Sequence, residues 1–350
     1  MTEAPEHQAP KGLEVGLDVV AGWIRESDEI TEPLTAQRIG NGQSNLTYLL
    51  TDAADRRWVL RRPPLGHLLQ SAHDVAREYR IMSALQGTGV PVPRVLGLWT
   101  PNDVAHMVMG FLDGYVIDSA AKGEAASPEL RAAIGPSIAR TLARIHAVPL
   151  EEVGLLDLAS HKPYAQRQLS RWVRQLEASR TTESADLDRV TEILQASVVP
   201  QSDLTLVHGD LHLANAISDP ETGEVIGALD WELSTLGDPL ADLGTLLAYW
   251  PEPSDGLAPG IFGASALPGF SSRAELVDAY AQASGRDVAD VGFWHVLGVW
   301  KVVAIIEGVR RRVLDEPGNA SLGGVPTEEM VHGLSGRALT LAKEYGLPGA

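Results

Sequence analysis

Short apolar runs crowd the first third of the chain, and helical periodicities fill most of the rest. Residues 1 to about 12 read as a disordered tail. Gly16 to Arg25 is mildly amphipathic and predicts a short helix. From Arg38 to Leu50 the pattern runs strand, glycine-bearing turn, strand. Arg57 to Arg61 predicts a third strand, stopped by Pro63-Pro64. Ser71 is the expected N-cap of a helix through Leu85, with Val75, Tyr79, Met82 and Leu85 on one face. Gly87 and Gly89 end it, and Val95 to Trp99 and Val104 to Met109 predict two further strands.

After Gly110 the period changes to 3.6. Pro128 to His146 predicts a long helix, which Pro136 is expected to kink or split. Tyr164 to Ser179 and Leu187 to Ala196 predict two more. An apolar run, Leu204 to Val207, leads into His208. Short strands are expected near Ala214–Ser218 and Val225–Leu229, followed by a helix from Pro239 to Trp250. Residues 251–270 carry four Gly and four Pro and predict a long loop, with Phe262, Leu267 and Phe270 in it. Helices over about 272–283, 288–312 and 327–345 close the chain.

Length fits this division, because cores are usually split beyond about 250–300 residues. The 350 residues therefore predict three parts: tail and short helix (1–35), a small α+β lobe (36–110) and a mainly helical lobe (111–350). No uninterrupted apolar stretch reaches about 18 residues, so no spanning helix is expected. The acidic N-terminus lacks the features of a secretory signal, so a cytoplasmic protein is expected, without membrane partners. Cysteine is absent, which removes disulfides, thiolate nucleophiles and Cys-based metal sites. The net charge of −18 argues against a nucleic-acid partner. The charge is uneven. Residues 36–110 hold 8 bases against 5 acids, while 111–350 hold 33 acids against 18 bases. The basic segment suits an anionic ligand.

The strongest chemical signal is His208-Gly209-Asp210-Leu211-His212-Leu213-Ala214-Asn215, followed by Leu229-Asp230-Trp231-Glu232. An apolar strand delivers Asp210 into a loop, Asn215 lies five residues on, and Asp230 ends a later strand. Two carboxylates and an amide oxygen, without a soft ligand, suit Mg²⁺. The spacing H-G-D-x-x-x-x-N matches the kinase catalytic loop, with Asp230 where the metal-binding Asp follows.

These motifs, with Gly237-Asp238-Pro239-Leu240-Ala241-Asp242, resemble the aminoglycoside phosphotransferase family of kinase-like small-molecule kinases, over roughly residues 36 to 310. Further stretches, Val59 to Pro64, Arg77 to Arg80 and Val90 to Arg94, resemble the branch associated with acyl-CoA dehydrogenases. The resemblance implies an α+β, protein-kinase-like two-lobe fold: a five-stranded N-lobe with one helix and a helical C-lobe. It implies a phosphotransferase that uses ATP (or GTP) and Mg²⁺, with Asp210 as the catalytic base and Asn215 and Asp230 as metal ligands. Gly40, Gly42, Ser44 and Asn45 would cover the phosphates, and Met109 and Phe111 would belong to the hinge that meets the adenine. Arg61 would stand where kinases carry a lysine, paired with Glu78, and Arg62 is its alternative. The implied acceptor is a small hydroxylated molecule: an aminoglycoside, a hydroxyacyl compound or a sugar.

Other residues carry quieter expectations. His208 and His212 are expected to hold the loop, Asp238 to cap a helix and Asp242 to brace the loop. Glu232 stands open between a site role and an orienting one, and Glu307 is a weaker candidate for the acceptor site. Trp294, Trp300 and Tyr249 are expected in the core, and His295 and Lys301 to be satisfied individually. Two other classes remain: a nucleotide-binding module without turnover, motivated by Arg61, and a metal-dependent hydrolase built on His208, Asp210, His212 and Asp230.

Overall fold

The computed structural model describes residues 12–39, 45–64, 74–160, 162–255, 263–317 and 324–350. Three residues expected to cover phosphates, Gly40, Gly42 and Ser44, lie outside them, as do Ser71 and Phe262. The chain forms two compact units. One comprises residues 1–113 and 227–232, the other 114–226 and 233–350. The second crossing of the chain, which returns 227–232 to the first unit, is absent from a division at 110/111.

The first unit is a five-stranded antiparallel sheet: β1 (Thr35–Ile39), β2 (Leu46–Thr51), β3 (Arg57–Arg62), β4 (Val95–Trp99) and β5 (His106–Gly110). Its order is β1-β2-β3-β5-β4. Side chains alternate across β3, so Trp58, Leu60 and Arg62 are buried on one face and Val59 and Arg61 stand on the other. Trp58 and Leu60 join Tyr48, Leu50 and Val108 in a core with Val20, Trp23 and Ile24 of helix α1 (Leu17–Arg25). On the Arg61 face, the registers Val59↔Met109 and Arg61↔Met107 bring β5 alongside. Helix α2 (Val75–Leu85) buries Val75, Glu78, Ile81, Met82 and Leu85. It begins three residues later than expected, because Asp74 caps it by accepting from the Arg77 N–H (2.9 Å).

The second unit is helical. Helix α3 (Ala120–Ala125) was not foreseen from the sequence. Next, α4 (Pro128–His146) runs unbroken through Pro136 instead of splitting there. Then come α5 (Tyr164–Ser179) and α6 (Ala185–Ala196), and the strands β6 (Thr205–Val207), β7 (Ala216–Ser218), β8 (Val225–Ala228) and β9 (Thr235–Gly237). β6 pairs with β9, and β7 with β8. The stretch expected to be a strand from Ala214 begins as a helical turn, Leu213–Asn215. The chain ends with α7 (Pro239–Ala248), α8 (Arg273–Ser284), α9 (Val291–Asp315) and α10 (Glu328–Glu344). Length and composition would let α9 cross a membrane, yet 83% of its most apolar window is buried inside the molecule. It serves as a core helix. Its closest crossing is with α7: a Cβ on Gly244 would sit 2.4 Å from the Trp294 main chain, and one on Gly298 would sit 2.8 Å from the Gly244 oxygen. Any side chain at either position would push the two helices apart.

Candidate active site

Each unit carries part of the predicted constellation. In the first, Arg61 is the centre. Its Nε lies 2.9 Å from Glu78 Oε2, and its Nη2 donates to Asp230 Oδ1 at 2.5 Å. The pair is well buried, at 12% and 2% side-chain exposure. Burial pushes the Glu78 carboxyl up to about 7, with the Arg61 charge pulling the other way. Glu78 also accepts from the Trp231 N–H (3.4 Å), which ties α2 to the Asp230 turn. Asp230 has a left-handed backbone (φ 69°), which Asp tolerates better than most side chains. This turn re-aims the carboxylate just past β8.

Arg62 is not the alternative grip. It projects to the opposite face of β3, where its Nη1 donates to the Gly12 and Leu13 main-chain oxygens and to Glu14. The period of two alone separates these adjacent arginines. Asn45, the described member of the expected phosphate loop, is buried and donates to Glu232 Oε2 (3.3 Å). Met109 is buried on β5, and the Phe111 ring lies 4.2 Å beneath the Arg57 guanidinium.

In the second unit the catalytic-loop motif forms a clamped turn. Gly209 takes φ 87°, and a Cβ there would meet the Leu233 main-chain oxygen at 3.0 Å, so the position requires glycine. Buried Asp242 accepts from the His208 N–H (2.6 Å), the Gly209 N–H (2.7 Å) and His146 Nε2 (3.1 Å). Burial alone would raise the Asp242 carboxyl, but His146 and these N–H donors hold it below the usual range. The opposite ring nitrogen of His146 contacts the Tyr280 hydroxyl (2.8 Å). Asp242 thus braces the loop from α7. Asp238 caps the same helix through the Leu240 N–H (3.0 Å), and also accepts from Ser202.

On that base stands Asp210, with 23% of its side chain exposed. The Asn215 amide nitrogen donates to the Asp210 main-chain oxygen (2.9 Å) and to Oδ2 (3.2 Å). That orientation leaves Asn215 Oδ1 as the acceptor face of the amide. Burial and the adjacent Asp210 carboxylate push the Tyr249 phenol up, so it stays protonated and donates to Asp210. His208 is fully buried, and its Nδ1 accepts from the Asp210 N–H (3.3 Å). His212 Nδ1 accepts from the Ala214 N–H (3.2 Å), and its ring packs edge-on against Tyr249. Both histidines are therefore engaged in holding the loop. Among the described residues no group of three or more His, Asp or Glu side chains is placed to hold a metal ion.

Glu307 does not line an acceptor site. Its carboxylate is fully buried and accepts from the Thr181 N–H (2.7 Å) and the Thr182 N–H (3.1 Å). Two residues gain a role that spacing did not reveal. Tyr249 was expected only in the core, and His146 lies 96 residues from the carboxylate it contacts. Nothing local marks either one.

The model of the phosphotransferase enzyme family matches residues 35–291. Acyl-CoA dehydrogenase family member 10 from Mus musculus is 36% identical over 310 residues, 86% of this chain and 29% of that protein. Acyl-CoA dehydrogenase family member 11 from Gallus gallus is 33% identical over 320 residues, 89% of this chain and 40% of that protein. The chain therefore spans less than half the length of these two relatives. A crystal structure from Ralstonia eutropha, provisionally described as an aminoglycoside phosphotransferase, superposes with a TM-score of 0.76 at 28% identity, covering 93% of this chain and 98% of that one. The fold is thus the α+β, kinase-like fold of the aminoglycoside phosphotransferases, and the chain belongs to the phosphotransferase enzyme family.

Proposed function

We propose that the protein is a small-molecule kinase that moves the γ-phosphoryl group of ATP, or GTP, to a hydroxyl of a small acceptor. One observation carries this reading: a loop clamped by buried Asp242 holds the Asp210 carboxylate beside Asn215, whose amide nitrogen donates to it. Asp210 orients the acceptor hydroxyl and takes its proton as the new O–P bond forms and the bond to the departing nucleoside diphosphate breaks. Tyr249 steadies the carboxylate without competing for that proton. Arg61, placed by Glu78, grips the nucleotide phosphates. Catalysis of this kind rests on positioning and charge stabilisation.

Asn215 Oδ1 in the second unit and the Asp230 carboxylate in the first are each hard oxygen donors of the kind that would hold Mg²⁺. When bound, that ion supplies neutralisation of phosphate charge. The acceptor class includes hydroxyacyl compounds, aminoglycosides and sugars.

The test is ADP release from Mg·ATP with a panel of these acceptors. Asp210→Ala is expected to lower kcat at least about 10²-fold, as for a lost general base. Near-normal transfer by that variant would sink the assignment. A second reading is a nucleotide-binding module without turnover, favoured by the direct pairing of Arg61 with Asp230. A thermal shift with Mg·ATP but no ADP release on any acceptor would select it.

A further inference from the structure

The Arg61 guanidinium faces two carboxylates and makes a hydrogen bond to only one of them. Its Nη2 donates to Asp230 Oδ1 at 2.5 Å. Its Nε stands 2.9 Å from Glu78 Oε2, yet these two atoms form an ion pair without a hydrogen bond. Both are buried, and neither has a hydrogen-bond partner among the described residues. The ε N–H is therefore not aimed at the oxygen it nearly touches. A buried donor and a buried acceptor left unpaired each carry a desolvation cost, which turning the guanidinium toward Glu78 would recover. The other Glu78 oxygen accepts from the Trp231 N–H (3.4 Å), so Glu78 is held and Arg61 is the side chain that must turn.

Asp230 is what keeps it from turning. Burial works against the Arg61 charge, and the carboxylates of Glu78, Asp230 and Glu232 outweigh that cost. Glu232 is tied into the same cluster by Asn45, whose side-chain amide donates to it (3.3 Å). All of these groups belong to the first unit. The carboxylate that Arg61 engages is the one in this unit suited to Mg²⁺, so the positive charge beside it here is a side chain of the protein itself. A divalent ion on Asp230 would meet that guanidinium at close range. Side-chain exposure is only 12% for Arg61 and 26% for Asp230, so water screens the repulsion poorly.

We propose that Arg61 and a divalent cation exclude each other at Asp230, so that the metal binds only together with the nucleotide. The nucleotide phosphates draw the guanidinium off Asp230, its ε N–H comes into line with Glu78 Oε2, and Asp230 is released to the cation. The proposal rests on the phosphotransferase reading and adds an order of binding to that site. Arginine suits the role, because its fork carries separate N–H groups for Glu78 and for a phosphate. It can leave Asp230 and stay paired, whereas a single ammonium has no second fixed direction to offer. Divalent metal alone then gains little at this site, because it must displace a buried cation that has nowhere else to go.

Mn²⁺, with free and bound ion separated by electron paramagnetic resonance, tests the exclusion without turnover. In the absence of nucleotide, Arg61→Met is expected to bind Mn²⁺ at least about tenfold more tightly than the wild type. A unit charge a few ångströms from a divalent ion is worth more than that factor at an effective dielectric near 20. Arg61→Met leaves the Glu78 charge buried, so the double variant Arg61→Met with Glu78→Gln is measured beside it and keeps the gain. Adding Asp230→Asn to either removes it. In wild type labelled with ¹⁵N-arginine, Mg·ATP moves the Arg61 Nε–H resonance downfield as the bond to Glu78 aligns; the resonance is assigned by its loss in Arg61→Met. Wild-type Mn²⁺ binding as tight as that of the Arg61 variants overturns the proposal. So does a gain that survives Asp230→Asn, or Mg·ATP binding that leaves the Nε–H resonance where it was. A Mn²⁺ gain in the variants with no nucleotide binding by the wild type defeats the phosphotransferase reading and leaves the exclusion at Asp230 standing. ADP release on an acceptor with no Mn²⁺ gain does the reverse.

Discussion

Replacing Asp242 with Asn tests the clamp beneath the catalytic loop. Three donors converge on this carboxylate: the His208 and Gly209 N–H groups at 2.6 and 2.7 Å, and His146 Nε2 at 3.1 Å. They occupy both oxygens. Asparagine keeps nearly the same shape but has one oxygen, so its NH₂ must face at least one of these donors. The loss is one charge-assisted bond, plus a buried N–H left without an acceptor. At roughly 1.5–3 and 1–3 kcal/mol respectively, partly overlapping, the expected cost is about 2–4 kcal/mol. Urea unfolding at pH 7 measures it as a fall in midpoint with an unchanged slope. The loop also loses the anchor that fixes Asp210, so kcat for ADP release is expected to fall more than nucleotide affinity. A stability loss under about 1 kcal/mol would refute the clamp, because it would mean that these buried donors find other acceptors at little cost.

Arg61→Lys should be non-conservative, because Arg61 reaches Glu78 through Nε and Asp230 through Nη2, and a single ammonium cannot hold both positions. The expected result is a KM for ATP raised by roughly tenfold or more, and an unchanged KM would refute the bridge. Asp52 offers a pH test. Burial alone would raise its carboxyl, but N–H groups of Thr31, Ala54 and Arg56 and the Arg56 side chain hold it at about 2. A depressed folded-state value means stability that is present above the unfolded value near 4 and lost as pH falls toward 2. Wild type should therefore lose about 2 kcal/mol more than Asp52→Asn between pH 5 and pH 2. Parallel pH profiles for the two in urea unfolding would count against it.

Much of this protein was legible before any coordinates. Strand positions were readable because half-buried strands alternate and buried helices repeat every 3.6 residues, so Arg57–Arg62 and Pro128–His146 announce themselves. Loop chemistry was readable because H-G-D-x-x-x-x-N compresses a strand end, a glycine-only turn and two polar side chains into eight positions. The start of α2 was misjudged because several polar residues near it can each cap a helix, and the hydrogen bond to Asp74 settles which one does. Pro136 was expected to kink or split α4; the helix is not split, since packing over the rest of it outweighs one missing N–H.

Local pattern established the order of elements, the family and the segment that holds Asp210 and Asn215. It did so because those properties depend on neighbours a few residues apart, where chain geometry is nearly fixed. Folding in three dimensions settled which of two adjacent arginines meets Glu78, and that Asp242 receives His146 across 96 residues. Those outcomes depend on burial and on long-range partners. The energy of a charge is set by what surrounds it in space, and for these groups the surroundings come from distant parts of the chain.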